Sequence, residues 1–220
     1  MTVPPCVFVF SGEGAHSADT DISVLKFSTS WPAVQRALHE LGHDPEAFLQ
    51  QNLGEHSAPN SPVVTVALNI LNADLWRQWG VVPSLVLGHS VGEIAAAYTA
   101  GIFTAEQALS CAHHLGLAMQ GASGVMLHTE LPRSSLAQFP ADGLHVAAVN
   151  YVVRKAALGL EAEDLLSVTL CGLGDAADAA AYLAKDPAAT VLKPPHAWHH
   201  PEAPRTSKAA RRFLGRARPG

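Results

Sequence analysis

The sequence predicts an α/β fold: a parallel sheet with helical crossovers, into which a small β-α-β-β-α-β unit is inserted. Three observations predict it. In the first half, short apolar runs alternate with helix-length segments, the order that builds parallel strands. After about Ala122, four short strand-like runs follow one another with two helix-like stretches between them, the pattern of a ferredoxin-like unit. Between these regions, LVLGHSVGEIAAAYTAG at 85–101 passes from strand to helix through a turn flanked by glycines.

Taken in order, VFVF at 7–10 reads as a buried strand entering the glycine turn SGEG. Helices are predicted over 31–41 and 62–79, the second with Pro62 near its first turn, where a missing N–H costs nothing. Strand 84–87, the turn 88–92 and a helix over 91–99 follow. Thr104 caps a further helix over 105–120, with Glu106 in its first turn. In the second half, GVMLHTEL, LHVAAVN, SVTLCG and ATVLK are strands, and 132–138 and 175–185 are helices. The stretch YVVRKAALGLEAEDLL at 151–166 is longer than a hairpin connection needs and is predicted to form one or two helical turns. The parallel-sheet subdomain is thus expected to hold 1–121 and 196–220, and the small subdomain 122–195, with an insertion near 151–166.

Composition narrows the function. Of 220 residues, 48% are hydrophobic and 15% charged, which suits a folded core. The net charge is −5, but six of the 14 basic residues (Arg205, Lys208, Arg211, Arg212, Arg216 and Arg218) sit at the end. Residues 1–204 therefore carry eight basic against 19 acidic residues, no footprint for nucleic acid, and the tail reads as a solvated terminus. Cys6, Cys111 and Cys171 are odd in number and far apart, which predicts neither a disulfide framework nor a zinc site and favours a reducing compartment. No run is long enough to span a membrane, and MTVPPCVFVF lacks the basic start of a signal peptide. A cytoplasmic protein is expected, or one in a plastid or other organelle lumen if sequence not present here directs it.

The chemistry concentrates at GHSVG, residues 88–92, which matches the nucleophile elbow G-x-S-x-G. Small residues at Gly88 and Gly92 let strand and helix approach while Ser90 takes a strained conformation. Its Oγ then stands at a helix N-terminus, and the Val91 amide points to the same place, a donor suited to an oxyanion. His89 reads as a structural or pocket-wall residue. His113 and His114 read as ordinary helix histidines. HAWHHP at 196–201 follows the last strand, where the chain must return towards the elbow. His196 and His200 have i, i+4 spacing, but Pro194, Pro195 and Pro201 argue against a regular helix, so no metal site is expected.

Four segments, in order, carry a specific resemblance. GHSVGEIAAAYTAG resembles the GHSxGE signature of malonyl-CoA:acyl-carrier-protein transacylases and of the acyltransferase domains of polyketide and fatty-acid synthases. FSGEGAH at 10–16 resembles their F-x-G-Q-G-x-Q turn, AAVN at 147–150 their A-x-N segment, and AWHHP at 197–201 their A-F-H-S-P segment. The resemblance implies an α/β-hydrolase-like subdomain with the ferredoxin-like one inserted. It implies Ser90 as nucleophile, His199 as general base, and the backbone amides of Val91 and Glu13 as the oxyanion hole, Glu13 standing where the family has glutamine. His89, Leu115 and Asn150 fall at substrate-binding positions, and His200 where the family has serine. The implied reaction moves an acyl group from acyl-CoA to the phosphopantetheine thiol of an acyl carrier protein, with no bound cofactor, alone or within a larger synthase. A silent remnant that docks a carrier or synthase partner, and a thioester hydrolase, are the alternatives.

Three departures carry expectations of their own. Leu115 occupies the position where relatives that take malonyl units have arginine, and no Lys or Arg occurs between Arg77 and Arg133. A carboxylate left unpaired there would cost several kcal/mol by order of magnitude. An uncharged acyl group is therefore expected. The family continues well past its catalytic histidine, so the chain reads as shortened at its C-terminus. The 151–166 insertion is the third.

Overall fold

The computed structural model describes residues 5–141, 143–154, 163–174 and 177–203. These fall into two compact units, divided between Ala118 and Met119.

In the first unit, β1 (Val7–Phe10) pairs in parallel with β2 (Leu85–Gly88), from Val7↔Leu85 to Phe10↔Gly88. Between them lie a 3-10 turn (Val24–Phe27) and three helices: α1 (Trp31–Glu40), α2 (Pro45–Asn52) and α3 (Asn60–Gln78). After β2 come α4 (Gly92–Thr99) and α5 (Ala105–Met119). The core is built on α3, whose run of apolar residues from Val63 to Leu75 leaves almost no solvent-facing stripe. Asp74 is buried on it because Tyr98 donates a 2.6 Å hydrogen bond and Arg77 pairs with it at 3.2 Å.

The strands differ from expectation on one face. Phe8, Phe10 and Val86 pack on the core, but Val7, Val9, Leu85 and Leu87 are exposed, Val9 at 71%. A continuous apolar run predicts burial on both faces; among the described residues the helical core covers one. α2, absent from the sequence expectations, starts as helices should: Asp44 caps it through Oδ1, accepting from the Ala47 amide at 2.9 Å, and Pro45 follows. At α5 the expected Thr104 cap proves reciprocal. Thr104 Oγ1 accepts from the Gln107 amide, and Gln107 Oε1 accepts from that of Thr104.

The second unit is a four-stranded antiparallel sheet in the order β4-β5-β3-β6, formed by β3 (Gly124–Pro132), β4 (His145–Arg154), β5 (Leu165–Leu173) and β6 (Thr190–Val191). A 3-10 segment (Arg133–Gln138) and α6 (Ala177–Lys185) complete the expected ferredoxin-like unit. Its core is Leu127, Leu144, Leu166, Val168 and Leu170, with Tyr182 and Leu183 of α6 against it.

Two boundaries differ from those expected. Tyr151–Arg154 is not helical but prolongs β4, and Leu165–Leu166 opens β5, because a Tyr-Val-Val run favours a pleated strand over a helix. Register shifts between Val146 and Ala148, Val149 and Tyr151, and Val152 and Arg154 absorb the extra residues. Residues 155–162 and the basic tail lie outside the described residues. The stretch from His196, expected with the parallel-sheet subdomain, groups with the second unit. Ser123 bridges His196, and the Ala197 amide donates to the Ala122 carbonyl at 3.2 Å.

Candidate active site

The elbow in the first unit follows from three close approaches. A Cβ on Gly88 would overlap the backbone of Gly92 and Glu93, and one on Gly92 would lie 2.5 Å from the Phe10 carbonyl oxygen and 2.6 Å from that of Ser11. Only glycine at both positions lets α4 start directly against the end of β1. His89 N donates to Phe10 O at 2.9 Å, Gly92 N to His89 O at 2.9 Å and Glu93 N to Ser90 O at 3.0 Å. Pinned by these bonds, Ser90 sits at φ 53°, left-handed backbone that a non-glycine residue adopts at a cost on the order of 1–3 kcal/mol. Its side chain is half-buried at the head of α4. The Val91 amide beside it has no acceptor among the described residues, so the helix start keeps a donor available for an anion.

The turn after β1 closes on the elbow. Ser11 is tied to α3 by Asn69, whose Nδ2 donates to the Ser11 carbonyl at 3.0 Å. A Cβ on Gly12 would stand 2.9 Å from the His89 carbonyl oxygen and 3.3 Å from Ser90 Cβ. Glu13 comes next. Its Oε2 accepts from Ser61 Oγ, and its Oε1 is buried with no hydrogen-bond partner among the described residues. Burial pushes this carboxyl up to about 7, against the opposing effect of the Ser61 hydrogen bond. His89 is exposed, with its ring edge towards Gly12. Leu115, on α5, is half-buried and packs on the first unit's core. Its neighbour His113 is pushed down by burial and, further, by His114 and His43.

In the second unit, His199 lies on a turn fixed from both sides. Ala197 and Trp198 before it and His200 after it are buried, while His199 itself is exposed. Trp198 N donates to His196 O at 2.9 Å, His200 N to Ala197 O at 3.2 Å, and Ala203 N to His200 O at 3.0 Å. His199 takes φ 66°. His200 Nδ1 accepts from the Glu202 amide at 3.1 Å, which puts the ring proton of the neutral form on Nε2. Its ring meets His145 at 4.4 Å, and burial, with that neighbour, lowers its pKa. Asn150, on β4, is exposed. Both its donors are used, on Ser167 Oγ and Thr169 Oγ1 at 3.2 Å each, which leaves its Oδ1 as an acceptor.

Of the residues expected from sequence, Ser90, Val91, His89 and Glu13 come together at the elbow, while Leu115 stands on α5. His199 and Asn150 belong to the second unit, on separate elements. Gly12, Ser61 and Asn69 were not anticipated. The glycine of SGEG was a signal for the first, but Ser61 and Asn69 act through long-range contacts that no local pattern announces.

The acyl transferase domain family model matches residues 7–159. A highly reducing polyketide synthase of Glarea lozoyensis is 33% identical over 161 residues, 67% of this chain and 6% of that protein. The acyltransferase domain from the second module of the salinomycin polyketide synthase superposes with a TM-score of 0.70 at 26% identity, over 96% of this chain and 50% of that one. The acyltransferase domain of the polyketide synthase PpsC of Mycobacterium tuberculosis has a TM-score of 0.73 at 23% identity, over 98% and 65%. The chain thus spans a small part of its synthase relatives and half to two thirds of these solved domains.

Proposed function

Because this chain belongs to the acyl transferase domain family, we propose that it moves an acyl group from acyl-CoA to the phosphopantetheine thiol of an acyl carrier protein through an ester on Ser90. The observation that supports this most is a coincidence of strain and chemistry. Among the described residues, the two non-glycine positions with positive φ are Ser90 and His199, the residues to which the family resemblance assigns nucleophile and base. Strain held at two such positions, each over-determined by its surroundings, is a mark of function rather than of packing.

In the proposed reaction, Ser90 Oγ attacks the thioester carbonyl as His199 takes the hydroxyl proton. A C–O bond forms, the C–S bond breaks, and the proton passes to the departing CoA thiolate. The amides of Val91 and Glu13 hold the negative oxygen, each donor of this kind contributing on the order of 10²–10³ in rate. The carrier's thiol then gives its proton to His199 and its sulfur attacks the ester; a C–S bond forms, the C–O bond breaks, and His199 returns the proton to Ser90 Oγ. No bound cofactor takes part. His89 and the free Oδ1 of Asn150 are assigned to the substrate. The aliphatic Leu115, in a chain segment without Lys or Arg, favours an uncharged acyl group. The carrier protein and any larger synthase around this domain belong to the same proposal.

The test is a two-stage mass measurement on the purified chain. Acetyl-CoA should add one acetyl group, and a phosphopantetheinylated carrier protein should then remove it and gain it. Loss of the adduct to free acetate with no carrier present would identify a thioester hydrolase instead. An unlabelled protein that is folded would overturn both.

A further inference from the structure

In the second unit, the turn that carries His199 is closed through the residue after it. Three hydrogen bonds start or end on His200. Its amide donates to Ala197 O at 3.2 Å, its carbonyl accepts from Ala203 N at 3.0 Å, and its Nδ1 accepts from the Glu202 amide at 3.1 Å. The residue is buried, and its ring meets that of His145, at the start of β4, edge to face at 4.4 Å. The Ala197 amide ties the other side of the turn to Ala122 O, ahead of β3. His199 thus stands at φ 66° between two buried residues, Trp198 and His200. The resemblance places serine where His200 stands, so a side chain that titrates near neutrality replaces one that does not.

We propose that neutral His200 is a positioning residue for His199: it fixes the turn by accepting the Glu202 amide and seating its ring on His145, and its protonation releases that turn. The inference rests on the acyl-transfer reading above, in which His199 is the base. A protonated imidazole carries a proton on both nitrogens, so its Nδ1–H would face the Glu202 N–H, donor against donor. The new charge would also be buried beside a second imidazole. A positive φ at a non-glycine residue persists only while its surroundings enforce it, so loss of these contacts lets His199 leave its position. Titratable groups near His200 come from three segments: His145 on β4, Cys171 opposite it on β5, and His196, His199 and Glu202 on the turn itself. Burial pushes the Cys171 thiol up to about 11, so it adds no charge near neutrality. Burial, and then His145, hold His200 below the ordinary histidine range against the opposing effect of Glu202. The turn is therefore locked at neutral pH and released on acidification.

The experiment compares rates of Ser90 labelling by acetyl-CoA in the native chain, His200→Asn and His200→Phe from about pH 8 to about pH 5. Asparagine can place its Oδ1 where Nδ1 stands and accept the Glu202 amide without titrating, whereas phenylalanine fills the space and accepts nothing. At about pH 8, His200→Asn should label within about threefold of the native chain and His200→Phe about tenfold more slowly. Titration of His199 acts on each chain and divides out of their ratio. The ratio of native to His200→Asn rates should then fall at least about threefold as the pH drops to about 5. Histidine side-chain NMR without substrate should show His200 as the Nε2–H tautomer at about pH 8, and His199 signals that move with the His200 midpoint. Should His200→Phe fail to fold, the His200→Asn ratio and the tautomer still decide. A native-to-Asn ratio independent of pH would overturn this inference alone, as would an Nδ1–H tautomer. Absence of any acetyl adduct in the folded native chain would sink the acyl-transfer reading and this inference with it.

Discussion

Glu13 combines a carboxyl, burial and a single hydrogen bond, and its titration has a sign that stability can read. Its carboxyl is raised from 4.5 to about 7 by burial, outweighing the Ser61 hydrogen bond. The folded chain therefore holds a proton that the unfolded chain releases between those values. The associated stability is full below pH 4.5 and is lost as pH rises through about 7, a change on the order of 3 kcal/mol. Urea unfolding of the native chain and Glu13→Gln at about pH 5 and about pH 8 should show the native chain losing stability relative to the variant. A constant difference between the two would contradict a buried, proton-holding acid. Ser90 and His199 illustrate another residue-scale point. Both sit at positive φ, each on a turn whose backbone hydrogen bonds are made by the residues on either side.

At the scale of elements, the elbow is a joint between β1, β2 and α4, and Gly92 is where the three come closest. Gly92→Ala would push a methyl against the Phe10 and Ser11 carbonyls. A loss of roughly 1–3 kcal/mol in stability is expected, with slower Ser90 labelling in the fraction that folds. Unchanged unfolding and labelling would mean that the close approach is not required. This joint was legible in the sequence because its signal is local: an apolar strand, two glycines around H-S-V and an alanine-rich helix. The same holds for α1, α3, the Thr104 cap and the four strands of the second unit. α2 was missed although Asp44-Pro45-Glu46 is a helix start, since only two short apolar patches follow it. The extension of β4 through Arg154 was read as helix because the insertion interrupted the strand pattern, and pairing with β5 decided the matter. The Glu13–Ser61 bond and the pairing of His145 with His200 join residues 48 and 55 positions apart, beyond the reach of any local pattern.

For the whole molecule, two units carry separate cores, one around α3 and one on the four-stranded sheet, and the proposed chemistry draws on both. The proposed nucleophile, oxyanion donors and Leu115 come from the first, and the proposed general base and Asn150 from the second; Ser90 and His199 are the two described non-glycine residues at positive φ. The most direct measurement is peptide-level mass mapping after brief exposure of the folded chain to acetyl-CoA, with Ser90→Ala and His199→Ala alongside. The account predicts acetyl on the peptide that holds Ser90, none in Ser90→Ala, and labelling slowed by about 10³ in His199→Ala. Acetyl on another residue, or equal labelling in the native chain and His199→Ala, would contradict it.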